Sequence, residues 1–335
     1  MSRGREDGVA EDVPDRFEQV RSGVWSLVLP FSSHYPGATT TYLLERADGS
    51  LCVVDPAWRT EENRRLLEAG AARSGHRLED VGLVVVTHLH PDHIGMAEEL
   101  RRLSGASIVL HRADQSALET GLPQTHVPAE WFEHWGVPPD RRAELVRWWV
   151  EERRYPVVHA DRVLEDGDRV SVGGGELVVL HTPGHTSGSI CLVHEAERAV
   201  LTGDHVLPDA YPGIGLGGAS GGNPMGEYLA SLDRLRPYDD FEAWPGHGGR
   251  FRPLGERRAR IEAHHRRRSA EVAAALDVLH LPTVWEVAAR LRWSGGWATM
   301  ADYRLASALA QTEWHVDLLG RSGDLRGSGP ARATE

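Results

Sequence analysis

The run His88-Leu89-His90-Pro91-Asp92-His93 places four side chains able to bind a divalent cation within six residues. Imidazole and carboxylate are ligands that suit zinc and related metals. The run follows Val81 to Val86, a continuous apolar stretch of the kind that forms a strand buried on both faces, closed by Thr87. A strand end fixes the first ligand, and the loop can turn the others back toward one point. Single candidates recur at three more predicted strand ends: His185 in Thr182-Pro183-Gly184-His185, Asp204 in Thr202-Gly203-Asp204-His205, and His247 in Pro245-Gly246-His247-Gly248. Alone, each reads as a turn residue, with glycine allowing the turn. Together, His88, His90, Asp92, His93, His185, Asp204 and His247 make seven ligands, which suits two metals sharing a carboxylate and a hydroxide. Asp92 can also accept a hydrogen bond from that hydroxide and carry a proton to a leaving group.

Elements must bring these residues together. Short β-rich runs are expected at Val24 to Leu29, Thr39 to Leu44 and Leu51 to Asp55, split by Pro30, Pro36-Gly37 and Asp48-Gly49. A helix over Thr60 to Ser74 precedes the Val81 strand, and another over Gly95 to Leu103 precedes a strand at Ser107 to Leu110. The second half repeats the grammar, with strands at Leu177 to Leu180, Ile190 to Val193, Ala199 to Thr202 and Phe241 to Trp244, and a helix at Met225 to Leu235. Two strand-rich halves with helices outside make an α/β protein, an αβ/βα sandwich.

Ligands, order and spacing resemble the metallo-β-lactamase-fold hydrolase superfamily over roughly residues 20–250. The resemblance implies a four-layer sandwich with the site at the strand ends. It assigns His88, His90 and His185 to a first metal, Asp92, His93 and His247 to a second, and Asp204 to the bridge. Asp204 stands where zinc β-lactamases carry cysteine, so the set looks like the glyoxalase II and related dinuclear subgroup. The flavodiiron branch has glutamate where this chain has His90. Two divalent ions are implied, zinc first, with iron or manganese as alternatives. His205 follows the bridging position and reads either as a ligand-orienting residue or as a turn histidine. His34 lies in the Pro30-to-Gly37 loop, where relatives shape the substrate mouth.

The chemistry expected is hydrolysis of a small acyl substrate: thioester, lactone or ester. Two alternatives share the motif, a phosphodiesterase or endoribonuclease and a mononuclear iron persulfide dioxygenase. The domains expected are a disordered tail over 1–16, a catalytic domain over 17–252, a helical domain over 253–320 and a disordered tail over 321–335. Residues 112–160 form an aromatic-rich insertion with Trp131, Phe132, Trp135, Trp148 and Trp149. It would be either a lid over the site or a helix whose indoles enter the core. The C-terminal helices are expected at Glu256 to Leu279, Thr283 to Leu291 and Met300 to Leu319, with Thr283 and Glu286 as a capping box and Gly320 as a stop. They resemble the winged-helix-like tail of a subgroup that includes endoribonuclease-like and thioesterase-like members.

Composition narrows the partners. The chain has 335 residues, 41% of them hydrophobic, and a formal net charge of −12, which argues against a nucleic-acid partner. The arginines of Arg257-Arg258 and Arg266-Arg267-Arg268 are interleaved with Glu256, Glu262 and Glu271, as on a solvated helix face. No apolar run is long enough for a membrane span, and the N-terminus lacks the apolar core of a secretory signal. Cys52 and Cys191 sit in apolar runs and read as buried thiols, so the cytoplasm is the expected compartment. Self-association into a homo-oligomer is left open.

Overall fold

The computed structural model describes residues 16–31, 37–120, 129–152, 156–215 and 222–326. His34 and the side chains of Trp148 and Trp149 lie outside the described residues.

Strands β1 (Phe17–Arg21), β2 (Val24–Pro30), β3 (Ala38–Glu45), β4 (Leu51–Val54), β5 (Val81–Val85), β6 (Ser107–His111) and β7 (Arg162–Leu164) form one sheet in that order. The first four pair antiparallel, and β4 through β7 pair parallel. Strands β8 (Arg169–Val172), β9 (Gly175–His181), β10 (Ile190–His194), β11 (Ala199–Gly203) and β12 (Glu242–Pro245) form the second sheet. There only β11 and β12 pair parallel.

Helices α1 (Glu61–Arg73), α2 (Pro91–Ile94), α3 (Ala97–Ser104) and α4 (Arg112–Thr120) belong to the first half. They are followed by α5 (Ala129–His134), α6 (Pro139–Glu152), α7 (Pro224–Arg234), α8 (Leu254–Val278), α9 (Val284–Ala288) and α10 (Asp302–Leu318).

Three apolar clusters define the layers. Between the sheets, Tyr42, Leu44, Val54 and Val85 meet Leu177, Val179, Leu192, Leu201 and Trp244. The outer face of the first sheet packs Leu27, Leu43, Val53 and Val84 against Leu66 and Leu67 of α1 and Leu100 of α3. The outer face of the second packs Val193, Val200 and Ala243 against Met225 and Leu232 of α7 and Leu254 and Ile261 of α8. Strands β4 and β5 are thus covered on both sides, which explains their unbroken apolar sequence. The result is the expected helix–sheet–sheet–helix sandwich.

A fourth cluster joins the insertion to the tail. Phe132, Trp135, Val137 and Leu145 pack with Val272, Leu276, Val287, Leu305 and Leu309. Trp135 is 3% exposed and its indole N–H donates to Glu313 Oε2 at 2.9 Å. For Trp135 the wall reading gives way to the core reading, and the partly buried Trp131 packs against the same cluster. The C-terminal region is helical, and among the described residues it contains no strand. The capping box at Thr283 and Glu286 is formed. Helix α8 begins near the expected boundary but serves both sides of it, with Leu254 and Ile261 on the sandwich and Val272 and Leu276 in the tail cluster.

Of the arginines in the basic run, Arg258 is buried in a two-pronged pair with Asp239, and the buried Arg268 reaches Glu271 and the carbonyl of Arg292. Their charges are used inside the fold. No helix among the described residues is long and apolar enough to cross a membrane.

Candidate metal centre

All seven expected ligands emerge from the C-terminal ends of strands. The β5 end carries His88, His90 and the short α2 with Asp92 and His93, while the ends of β9, β11 and β12 lead to His185, Asp204 and His247. The structure brings every one of them to a single place.

They form two adjoining groups, and His88, His93 and Asp204 make a third cluster that spans them. His88 Nε2 lies 3.0 Å from His90 Nδ1 and 3.2 Å from His185 Nε2, and His185 Nε2 lies 3.0 Å from His90 Nδ1. In the second group, His93 Nε2 and His247 Nε2 are 3.3 Å apart, and Asp92 Oδ2 is 3.3 Å from His247 Nε2 and 3.5 Å from His93 Nε2. Asp204 joins the groups with different oxygens. Its Oδ1 is 3.2 Å from His247 Nε2 and 3.4 Å from His93 Nε2, while its Oδ2 is 3.6 Å from His185 Nε2. Among the described residues, clusters of three or more such ligand atoms occur only here.

The arrangement fits divalent cations. Ligands at about 2.0–2.2 Å from a tetrahedral ion lie about 3.3–3.6 Å from one another, close to the spacings found. Asp204 Oδ1 is buried and makes no hydrogen bond of good geometry, a costly state for a carboxylate oxygen that a cation would relieve.

The distal ring nitrogens are already committed. His185 Nδ1 donates to the carbonyl of Gly213 at 2.6 Å, and His247 Nδ1 to that of Ala38 at 2.8 Å. His93 Nδ1 donates to Asp55 Oδ2 at 2.8 Å. The Thr87 hydroxyl donates to Asp55 Oδ2 at 2.7 Å and so accepts from His88 Nδ1 at 3.1 Å. Each of these contacts places the proton on Nδ1 and turns the Nε2 lone pair inward.

Electrostatics follow from crowding. Burial, with the other imidazoles close by, holds His88 well below the usual histidine range. Burial acts the same way on His247, but the carboxylates of Asp204 and Asp92 outweigh it and raise that histidine well above the range. Burial pushes Asp92 up, and the neighbouring His93 and His247 overcome it and hold the carboxyl low.

Two glycines are required by close approach. A Cβ on Gly246 would lie 2.7 Å from His93 Cε1 and 2.8 Å from Asp204 Oδ1. Gly184 sits at φ 129° against the backbone of Tyr228.

Two site residues have no part in the sequence reading, Asp55 and Asp114. Asp55 ends the apolar run Leu51-Cys52-Val53-Val54, the same strand-then-aspartate pattern seen at Asp204, and that was the available signal. Asp114 carries no comparable signal. It is fully buried on α4 and accepts hydrogen bonds from two ligand-bearing loops. His205 does not orient a ligand: its ring lies edge-on to Tyr228, and neither ring nitrogen makes a hydrogen bond of good geometry.

Residues 34–247 match the family model of the metallo-beta-lactamase superfamily. The chain belongs to the metallo-beta-lactamase superfamily. An uncharacterized protein from Mycobacterium leprae is 31% identical over 219 residues, 64% of this chain and 88% of that protein. The acyl-coenzyme A thioesterase MBLAC2 of Bos taurus is 33% identical over 144 residues, 43% of this chain. That match spans 47% of the thioesterase, about half its length. A crystal structure of a metallo-beta-lactamase family protein from Thermus thermophilus superposes with a TM-score of 0.74 at 30% identity, covering 91% of this chain and 95% of that one. This superfamily likeness therefore takes in most of the helical tail as well as the sandwich.

Proposed function

We propose that the protein is a dinuclear, zinc-dependent hydrolase of acyl thioesters. The carrying observation is Asp204, whose Oδ1 faces His93 and His247 of one three-ligand group and whose Oδ2 faces His185 of the other. The thioesterase relatives support the substrate class. When bound, divalent cations lower the pKa of water toward neutrality and polarise a substrate carbonyl.

The protein's own side chains do the rest. His88, His90 and His185 form the first holding group, and Asp92, His93 and His247 the second. Asp92 accepts a hydrogen bond from the attacking water and orients it. It takes that water's proton as the water oxygen bonds to the carbonyl carbon, and passes it to the departing sulfur as the carbon–sulfur bond breaks. The hydroxyl of Thr39 donates to the Asp92 carbonyl at 2.9 Å and fixes the start of α2. Phe31 sets its ring edge-on to His247 at 5.4 Å and supplies apolar surface beside the second group. No seryl nucleophile is needed. The stretch Gly218-Ala219-Ser220-Gly221-Gly222 spells the nucleophile-elbow pattern, but residues 208–215 before it are irregular rather than the strand that such an elbow requires.

Cys52 and Cys191 are buried and unbridged, which fits work in the reducing cytoplasm. The acidic net charge of −12 disfavours the phosphodiesterase alternative.

The test is metal analysis of purified protein together with a substrate panel. Two zinc ions per chain and thiol release from acyl-coenzyme A, above any turnover of lactone, β-lactam or phosphodiester, are expected. One iron per chain with oxygen consumption on a persulfide would replace this reading with the dioxygenase one.

A further inference from the structure

Asp114 stands in the first turn of α4, just beyond β6, and is fully buried. Its Oδ2 accepts from the Leu89 N–H at 2.8 Å and from the Thr186 hydroxyl at 2.9 Å, and its Oδ1 accepts from the Gly188 N–H at 2.7 Å. Leu89 lies between His88 and His90, and Thr186 directly follows His185. One carboxylate therefore ties together a loop from the first sheet and a loop from the second.

The surroundings are shaped for this contact. A Cβ on Gly188 would lie 2.4 Å from the Asp114 backbone nitrogen and 2.6 Å from its carboxyl carbon. Ser189 Oγ accepts from the Thr186 N–H at 3.0 Å and lies 2.7 Å from Thr186 Oγ1. With the serine hydroxyl donating to Thr186, the threonine proton is directed at Asp114. The Leu89 side chain packs with Ala117 and Leu118 on the same helix. Two of the three partners are backbone N–H groups, so the acceptor-only, ionised carboxylate is the form that fits. Burial pushes this carboxyl up to about 7, against the pull of its three donors. The second group is held by other means, through Asp55, the Ala38 carbonyl and Thr39.

We propose that Asp114 is a positioning residue that sets His88 and His90 against His185, and so tunes the cation affinity of the three-histidine group alone. The proposal rests on the metal-centre reading given above. It assigns to Asp114 no contact with substrate or with the cations. A removed strut leaves all three imidazoles present but no longer held at their mutual spacing. Partners that orient ligands in this way are typically worth about 10–100-fold in metal affinity.

The experiment is competition of the metal-free protein against a chromophoric chelator for Zn(II), with near-ultraviolet circular dichroism as the fold control. Wild type should bind two equivalents tightly. In Asp114→Ala, one equivalent should weaken by about 10–100-fold, with the other unchanged. Combined with His247→Ala, which disables the second group, Asp114→Ala should weaken the zinc that remains. Combined with His90→Ala, it should change nothing further. Thr186→Val removes one of the three donors and should weaken the same equivalent by a smaller factor. It decides the matter should Asp114→Ala fail to fold. Wild-type affinity in both variants, or equal weakening of both equivalents, overturns the proposal. A wild-type chain that binds no zinc overturns the metal-centre reading itself, and this proposal with it.

Discussion

His93 and Asp55 stand 38 residues apart in sequence, and their side chains meet in a 2.8 Å hydrogen bond between Nδ1 and Oδ2. Asp55 also receives the N–H and the hydroxyl of Thr87, each at 2.7 Å. The end of β4 therefore orients His93 directly and His88 through Thr87. Asp55 sits at φ 54°, in the left-handed region that aspartate and asparagine tolerate better than most residues.

Asp55→Asn should keep that backbone while turning one acceptor into a donor that faces donors. Zinc affinity should fall by about 10–100-fold with the fold intact. Dialysis against graded chelator, followed by metal analysis, checks this; wild-type retention would remove Asp55 from the support of the centre.

Asp92→Ala should lose activity by a factor on the order of 10²–10⁴, with circular dichroism unchanged. The side chain projects from α2 into the site, and the apolar clusters do not use it. Unchanged kcat at wild-type metal content would show that the proton passes elsewhere.

Trp135→Ala should cost stability rather than specificity. Its indole is buried among the tail helices and bonded to Glu313, so truncation should cost about 3–5 kcal/mol. Urea unfolding reads the loss. Relative kcat/KM across short and long acyl thioesters should stay constant, and an altered chain-length preference would restore a wall role for this residue.

Acid should weaken the docking of the tail. Burial holds His265 well below the usual range, with His315 and His264 adding to the effect, and holds His315 down to about 3. The two rings lie 5.7 Å apart across α8 and α10; Tyr228 of α7 stands edge-on to His265, His264 and Arg268 of α8 lie beside both, and Ser269 Oγ of α8 is 3.0 Å from His315 Nδ1. Unfolded histidine titrates at about 6.5. Between those values the unfolded chain binds more protons, so stability is complete above about 6.5 and falls as pH drops toward the folded values. Melting at pH 7.5 and 5 should show this loss, and His265→Phe should reduce it. An identical pH slope in the variant would assign the loss to other groups.

The seven candidate ligands are legible in the sequence because each belongs to a local pattern. An apolar strand runs into a histidine or aspartate, and glycine is present where the turn must tighten. The alternation of strands and helices announces the sandwich in the same way, since a strand covered on both faces has to be apolar throughout, as β5 is. Asp114 has no such pattern. Its partners Leu89, Thr186 and Gly188 lie 25, 72 and 74 residues away, and nothing local distinguishes it from a surface aspartate. The indoles of the insertion can be counted, but their destination cannot be read, because Trp135 finds Glu313 across 178 residues. Sequence by itself determined which side chains are candidates to hold cations and which elements end in them. Tertiary structure alone decided which buried carboxylates hold those side chains in place, because such contacts form only when strands distant along the chain become neighbours in the two sheets.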